Sequence, residues 1–240
     1  MPCRYSCPKN RPGASLRGFR GEWASGSATK NPKVKVLVAC EFSGVVRDAF
    51  KRQGHNAWSC DLLESEEDGQ HLQGDVRQFL DQAWDVMIAH PPCTYLANSG
   101  VQWLHHDPSR WEKLDEAATF FNTLLQAAIP KICIENPIPH IHAQKRIVER
   151  DLLSDTRPCK YSQIIQPYMF GHRESKAICF WLKGLHPLVP TTNLKDETMA
   201  LPSNTRQRLF YLPPSQDRWK LRSTTYQGVA DAMADQWGTP

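Results

Sequence analysis

The residues of this chain best suited to covalent chemistry are a cysteine set directly behind two prolines, Pro91-Pro92-Cys93, and an acid further on, Glu135. A thiol is the most nucleophilic of the common side chains at neutral pH, and a stiff Pro-Pro step gives it a fixed direction of attack. The apolar run Val86-Met87-Ile88-Ala89 reads as a buried parallel strand, which stops at His90-Pro91-Pro92 because proline removes ladder donors. Cys93 therefore stands just past a strand's carboxyl end, the edge at which open α/β sheets bind ligands. Glu135 closes a second such run, Lys131–Ile134. In a doubly wound sheet the two strands are neighbours or near neighbours, which brings the thiol together with a carboxyl able to hold and polarise what it attacks. Each residue alone has a plainer reading, since an isolated cysteine is more often a small buried hydrophobe. The pair at equivalent strand ends is the informative observation.

The elements that position the pair follow from pattern. Val34–Cys40 is a β-branched run suited to a central strand. The turn Glu41-Phe42-Ser43-Gly44 leads to a helix over Val45–Gln53, with apolar residues at 45, 46, 49 and 50 and Gly54 as its C-cap. A second strand, Ala57–Cys60, ends in Asp61, and a third, around His71–Gln73, ends in Gly74-Asp75. Strand, tight turn, helix, strand and acid make the first half of a nucleotide-type site, with backbone N–H groups at the turn and a carboxylate for ribose hydroxyls. A dinucleotide fingerprint needs three glycines and this turn has one. Glu41 would repel a pyrophosphate but not the cationic sulfonium and amino group of S-adenosylmethionine. Asp75 also has the ordinary role of N-cap for a helix over Arg77–Gln82. The fold class is α/β, a mostly parallel sheet with helices on both faces.

Beyond Cys93, the polar and aromatic segment Thr94–Arg110 is expected to form a mobile loop over the site. A helix over Trp111–Ala128 follows, ended by Pro130. Ile138–Gln166 mixes basic residues with little period, giving a plausible phosphate-facing surface. Ala177–Leu182 reads as a further strand, Pro187–Pro202 as an irregular connection, Gln207–Leu212 as a short edge strand, and Tyr226–Trp237 as a helix packed on the sheet.

Composition bounds the rest. The chain has 240 residues, 40% hydrophobic, with a formal net charge of +4, enough for one sizeable core and mild enough to permit a polyanionic partner without requiring one. No apolar stretch approaches the length of a membrane span, and the N-terminus lacks a signal-peptide core, so a soluble, cytoplasmic protein is expected. Four of the eight cysteines (Cys40, Cys60, Cys133, Cys179) lie in apolar segments, a reduced, intracellular pattern. Cys3 and Cys7 have no second pair to complete a zinc site, and no metal is expected. Residues 1–33 are basic, Gly/Ser/Pro-rich and aperiodic, and read as a flexible arm ahead of a single domain over 34–240, in which 138–215 is the variable, recognition region.

Taken together, these segments resemble the DNA (cytosine-5) methyltransferase family, in a compact phage or prophage form. Asp85–Gly100 matches the family's strand and Pro-Cys motif with Cys93 in the nucleophile's place, and Glu135-Asn136-Pro137 is similar to its Glu-Asn-Val motif. The resemblance implies a Rossmann-like class I methyltransferase fold, S-adenosylmethionine as cofactor and DNA as partner, duplex with a flipped cytosine or single-stranded. By the same resemblance Glu41, Phe42, Ser43 and Gly44 face the methionine end, Asp61 the ribose and Asp75 the adenine, with Pro91 and Gly228 also on the cofactor side. Pro92, Asn136, Lys176 and Arg208 stand on the substrate side. Lys176, in Phe170–Lys176, and Arg208, in Asn204–Arg208, are two alternatives for the family's Gln-x-Arg-x-Arg motif, which has no clean copy. About fifty residues separate Lys176 from Tyr226, too few for the usual target-recognition domain.

Other readings compete. A related transfer to RNA or a free nucleotide, or of a group other than methyl from a modified adenosyl donor, fits the missing recognition domain. An exocyclic-amine methyltransferase shares only the two prolines. A nucleic-acid-binding protein on a decayed methyltransferase scaffold would need neither Cys93 nor Glu135.

Overall fold

The computed structural model describes residues 33–150 and 156–239. The remainder of the expected basic arm, with Cys3 and Cys7, lies outside the described residues. In chain order the elements are β1 (Lys35–Ala39), α1 (Val45–Arg52), β2 (Asn56–Asp61), β3 (His71–Gln73), β4 (Val86–Ala89), α2 (Ser109–Leu125), β5 (Lys131–Pro137), α3 (Ile141–Gln144), β6 (Val148–Arg150), β7 (Thr156–Pro158), β8 (Gln163–Ile165), β9 (Ile178–Lys183), α4 (Lys195–Ala200), α5 (Ser203–Arg206), α6 (Arg208–Tyr211), α7 (Arg218–Ser223) and α8 (Gln227–Trp237).

Seven strands form one sheet in the order β3-β2-β1-β4-β5-β9-β8. The first five are parallel, β9 runs antiparallel to β5, and β8 antiparallel to β9. This is the Rossmann-like α/β arrangement expected from sequence, carrying one reversed strand. The chain order turns back between β1 and β4, so the crevice outside their carboxyl ends is the topological switch point. There the backbone is held closely: His90 N–H donates to the Ala39 carbonyl at 2.9 Å, and Glu41 N–H to that of Cys60 at 3.1 Å.

The core explains why the central strands read as unbroken apolar runs. Leu37, Ala39, Met87, Ala89, Ile132 and Ile134 pack with Leu114, Ala118 and Phe121 of α2 on one face. The alternate residues Val36, Val38, Val86, Ile88 and Cys133 pack with Val46 and Phe50 of α1 and with Val229 and Met233 of α8 on the other. A strand covered on both sides gains from apolar residues at every position. Among the described residues, no helix is long and apolar enough to cross a membrane.

Four expectations change. Gln207–Leu212 is not an edge strand but holds the helical turn α6; a strand there would bury every second residue, whereas Leu209 is buried and Phe210 and Tyr211 are both exposed. The helix expected over Arg77–Gln82 shrinks to a 3-10 turn at Val76–Gln78. Ile138–Gln166 contains strand β8 and the β6–β7 pair, too short to leave a period in the sequence. Finally, the start of Thr94–Arg110 is not a free loop. Leu96, Ala97 and Leu104 are buried, and Asn98–Leu104 forms a 3-10 helix. Asn98 N–H donates to the Ile138 carbonyl at 2.8 Å, and His140 N–H to that of Leu96 at 3.0 Å. Apolar side chains at 96 and 104 dock this stretch and leave its polar residues outside.

Candidate active site

Cys93 lies past the carboxyl end of β4, and Glu135 on adjacent parallel β5 stands one residue beyond the last β4–β5 pair, Ala89↔Ile134; β5 does not stop at Ile134 as expected but runs on to Pro137, because Glu135 to Pro137 pair with β9. Pro91 is buried, Pro92 exposed and Cys93 half-buried, so the thiol is directed by the Pro-Pro step yet reachable. Two further contacts fix it. Its own carbonyl accepts from Leu96 and Ala97 N–H at 3.0 and 2.9 Å. Buried Asn136 donates through Nδ2 to the Pro91 carbonyl at 3.2 Å, tying the end of β5 to the proline step. Asn136 thus positions the loop, and its buried Oδ1 has no partner.

The electrostatics couple the two residues. Burial pushes the Cys93 thiol up from its ordinary value and the Glu135 carboxylate adds to this, while Lys176 and Arg222 oppose it. For Glu135 itself, burial raises the pKa, but the His90 hydrogen bond and the charges of Lys176 and His90 outweigh it, leaving the carboxyl below its usual range. A buried carboxyl with a raised pKa would suit the substrate-holding role drawn from the sequence; the structure gives the opposite sign because His90 Nδ1 lies 3.2 Å from Glu135 Oε2. His90 was visible only as the residue before the prolines. Its side chain is 8% exposed, and Nε2 is buried without a partner.

The two alternatives for the missing basic motif separate. Lys176 shares a small crevice of about 10 Å³ with Glu135, Thr225 and Tyr226, and its Nζ donates to the Arg222 carbonyl at 2.9 Å. Arg208 instead pairs with Glu174 at 2.9 Å, and the other oxygen of that carboxylate accepts from Tyr226 Oη, also at 2.9 Å. Arg222, whose charge also acts on the thiol, left no sequence signal.

The other half of the crevice is a cavity of about 200 Å³ lined by Cys40, Cys60, Asp61, Asp75, Pro92 and Phe120, among others. Asp61 accepts from Leu63 N–H at 3.0 Å through one oxygen. Asp75 caps the 3-10 turn and is paired with the Arg77 guanidinium, which holds its carboxyl below the ordinary range. Of the two acids Asp61 is the less committed. Apolar walls with two carboxylates suit a nucleoside, with the base on Val76, Pro92 and Phe120 and the ribose hydroxyls donating to Asp61.

Glu41 is 4% exposed and accepts from the N–H groups of Val46 (2.7 Å) and Arg47 (3.2 Å) at the start of α1. Burial raises its pKa, against the opposing charge of His90. It therefore braces the turn from inside. Gly44 is the α1 N-cap with φ +72°, a conformation that glycine adopts without strain, while Ser43 and Phe42 are buried in the same turn. The turn owes its shape to Arg47 as well, a fully buried guanidinium that the helix pattern had not singled out. It donates to Ser59 and Ser65 hydroxyls at 3.2 and 3.0 Å and pairs with Asp48 at 2.7 Å. Gly228 is a packing position: a Cβ there would collide with the Phe170 carbonyl, and its N–H donates to His172 Nε2 at 2.9 Å.

No protein-family model matches the chain, and no curated protein does. Among solved structures, it is similar to one described as a DNA modification methyltransferase encoded within a prophage of E. coli, at 16% identity and a TM-score of 0.42, covering 71% of this chain and 56% of that one. It is also similar to the Entamoeba histolytica methyltransferase EhMeth, at 15% and 0.41 (68% and 58% covered), and to the S. pombe Dnmt2 methyltransferase, at 15% and 0.40 (78% and 61% covered). The chain thus spans less than two thirds of the length of each. At this level of likeness the fold rests on the strand order itself.

Proposed function

We propose that this chain is a transferase that methylates carbon 5 of cytosine in DNA through a covalent adduct with Cys93, using S-adenosylmethionine. The observation that carries the reading is the placement of Cys93 just past β4 and of Glu135 on neighbouring β5, with the carboxylate acting on the thiol, beside a cavity of about 200 Å³ at the switch point. Bound S-adenosylmethionine supplies an electrophilic methyl group. The residues of the chain do the rest.

Carbon 5 of cytosine is a poor nucleophile until a thiolate adds to carbon 6, which makes the ring enamine-like. Cys93 is that thiolate. As a carboxylate Glu135 accepts from the exocyclic amine of cytosine; a proton passed across the His90 contact lets it donate to N3 as the ring becomes electron-rich. A Glu135 that shares a proton with the base no longer repels the Cys93 thiolate, so substrate arrival itself lowers the barrier to ionising the thiol. Lys176 and Arg222 act on the thiol in the same direction. After transfer, water takes the carbon 5 proton, the Cys93–carbon 6 bond breaks with its electron pair going to sulfur, and the N3 proton returns to Glu135, leaving a Cys93 thiolate and an aromatic ring. A base stacked in a duplex is out of reach, so the target is flipped out, at a cost of roughly a few kcal/mol, or already unpaired.

The test is incubation with methyl-labelled S-adenosylmethionine and separate duplex DNA, single-stranded DNA and RNA, followed by nucleoside mass spectrometry. Label in 5-methylcytosine supports the reading. Label in adenine or on the cytosine exocyclic amine overturns it, and a heavier cytosine adduct would revise the donor.

A further inference from the structure

Apart from the charge of Arg222, the proposed chemistry leaves the segment between β9 and α8 unused. Its helices α5, α6 and α7 are held to the carboxyl edge of the sheet by contacts at both ends. Arg208 pairs with Glu174, Trp219 packs on Phe42 with ring centroids 5.5 Å apart, and Lys220 pairs with Glu66 at 3.1 Å. Outward, the same helices leave large apolar side chains in water: Phe210 is 62% exposed, Tyr211 52%, Trp219 50% and Leu221 49%. Such a concentration on a short stretch marks a binding surface rather than scatter. Within Ser203–Ser223 there are five cations (Arg206, Arg208, Arg218, Lys220, Arg222) and one acid, Asp217, so the surface suits a polyanion. The rings are held in fixed orientations. Phe210 and Tyr211 meet edge to face at 5.2 Å, and Lys220 Nζ sits 5.8 Å from the Phe42 and Trp219 ring centroids. The surface is continuous with the site, because the Arg222 carbonyl accepts from Lys176 Nζ at 2.9 Å and the next residue, Ser223, lines the crevice that Lys176 shares with Glu135.

Fixed aromatic faces alternating with cations recognise bases that are unstacked, since a duplex shows a protein only base edges and backbone. Reading a major groove takes a helix or ribbon that can enter it, and six-residue α7 is only about 9 Å long. We infer that α6 and α7 form a track for single-stranded DNA, on which bases flanking the target stack against Phe210, Tyr211 and Trp219 while Arg222 takes the phosphate nearest Cys93. This inference rests on reading the site as cytosine chemistry on DNA, and it names the strand state that the chain takes.

The test uses the full chain carrying Cys93→Ser, so that binding is read without reaction. Fluorescence anisotropy measures a labelled cytosine-containing oligodeoxynucleotide, its duplex and the RNA of the same sequence. Single-stranded DNA is expected to bind at least tenfold tighter than duplex, and Phe210→Ala and Trp219→Ala each to weaken it by about tenfold, with Trp219→Phe retaining most of the affinity. Arg222→Gln should flatten the salt dependence, lowering the slope of log affinity against log salt by roughly 0.7. Duplex or RNA binding as tight as single-stranded DNA overturns the inference. So does unchanged affinity in Phe210→Ala, an exposed position whose truncation spares the core. The two readings fail separately. The expected binding pattern with no methyl transfer by the unmodified chain sinks the cytosine chemistry and leaves the track standing; methylation of duplex DNA indifferent to Trp219→Ala does the reverse.

Discussion

The two halves of the sheet's carboxyl edge are built on different principles. Outside β1, β2 and β3 the chain makes a cavity from backbone shape: a turn braced from within by Glu41 and Arg47, a left-handed Gly44 and two acids at strand ends. Outside β4, β5 and β9 the site is made of side-chain charges acting on one another: Cys93, Glu135, His90, Lys176 and Arg222. The first half is set by local hydrogen bonds. The second is a single electrostatic unit in which altering one member shifts the others. The difference teaches where to look for independence and where for coupling.

The largest effect separates the halves outright. Cys93→Ala is expected to abolish methyl transfer, by at least about 10⁴-fold, while calorimetry finds S-adenosylmethionine binding unchanged; lost binding would mean that the halves are one site. Arg47→Met should lower stability by about 3 kcal/mol in denaturant unfolding, because it leaves Asp48, two serines and the loop carbonyls without their buried partner. Asp61→Asn should weaken S-adenosylmethionine by roughly ten- to a hundredfold, the scale of a hydrogen bond to a charged group, and leave the alkylation rate of Cys93 untouched.

The smallest effects test the coupling. Alkylation of Cys93, followed by peptide mass spectrometry to separate it from the other thiols, should be slow at pH 8 because burial and Glu135 keep the thiol protonated. Glu135→Gln removes the repelling carboxylate and should speed alkylation several-fold at that pH, whereas Lys176→Met should slow it. His90→Gln should raise the pKa of Glu135, since burial would then lack its main opponent. A depressed carboxylate pKa stabilises the fold above its unfolded value near 4.3 and loses that contribution as pH falls through the folded value. Acid unfolding of His90→Gln should therefore begin at a higher pH than that of the unmodified chain. Equal alkylation rates in Glu135→Gln and the parent would break the second half of the comparison.

This division also decides what could be read from the sequence. The half outside β1, β2 and β3 is local: strand, turn, helix, strand and acid follow one another within residues 34–75, where pattern alone places them. Cys93 and Glu135 were legible for the same reason, since both end apolar runs. The charges that tune them were not. Lys176, in the lead-in to antiparallel β9, has a sequence signal only through the family resemblance, as one of two alternatives for a basic motif, and Arg222 lies in α7, between Pro214 and Tyr226, where the pattern assigns no element. Arg47 sits on the buried side of α1, where apolar periodicity has no means of announcing a guanidinium. Docking of Thr94–Leu104 rested on buried Leu96 and Leu104, two apolar residues too far apart to form a pattern.

The stitching of that segment to residues 138–140 has a mechanical outcome. The backbone after the nucleophile and the backbone after the carboxylate form one rigid jaw, joined by His140 Nε2 to the Tyr95 carbonyl at 2.9 Å as well as by main-chain bonds. The crevice beside Glu135 has room for about one water molecule and is walled opposite by Ser223, Thr224 and Thr225. On the proposed chemistry, a pyrimidine reaching Glu135 has to displace the short connection between α7 and α8, which ties substrate entry to movement of that connection.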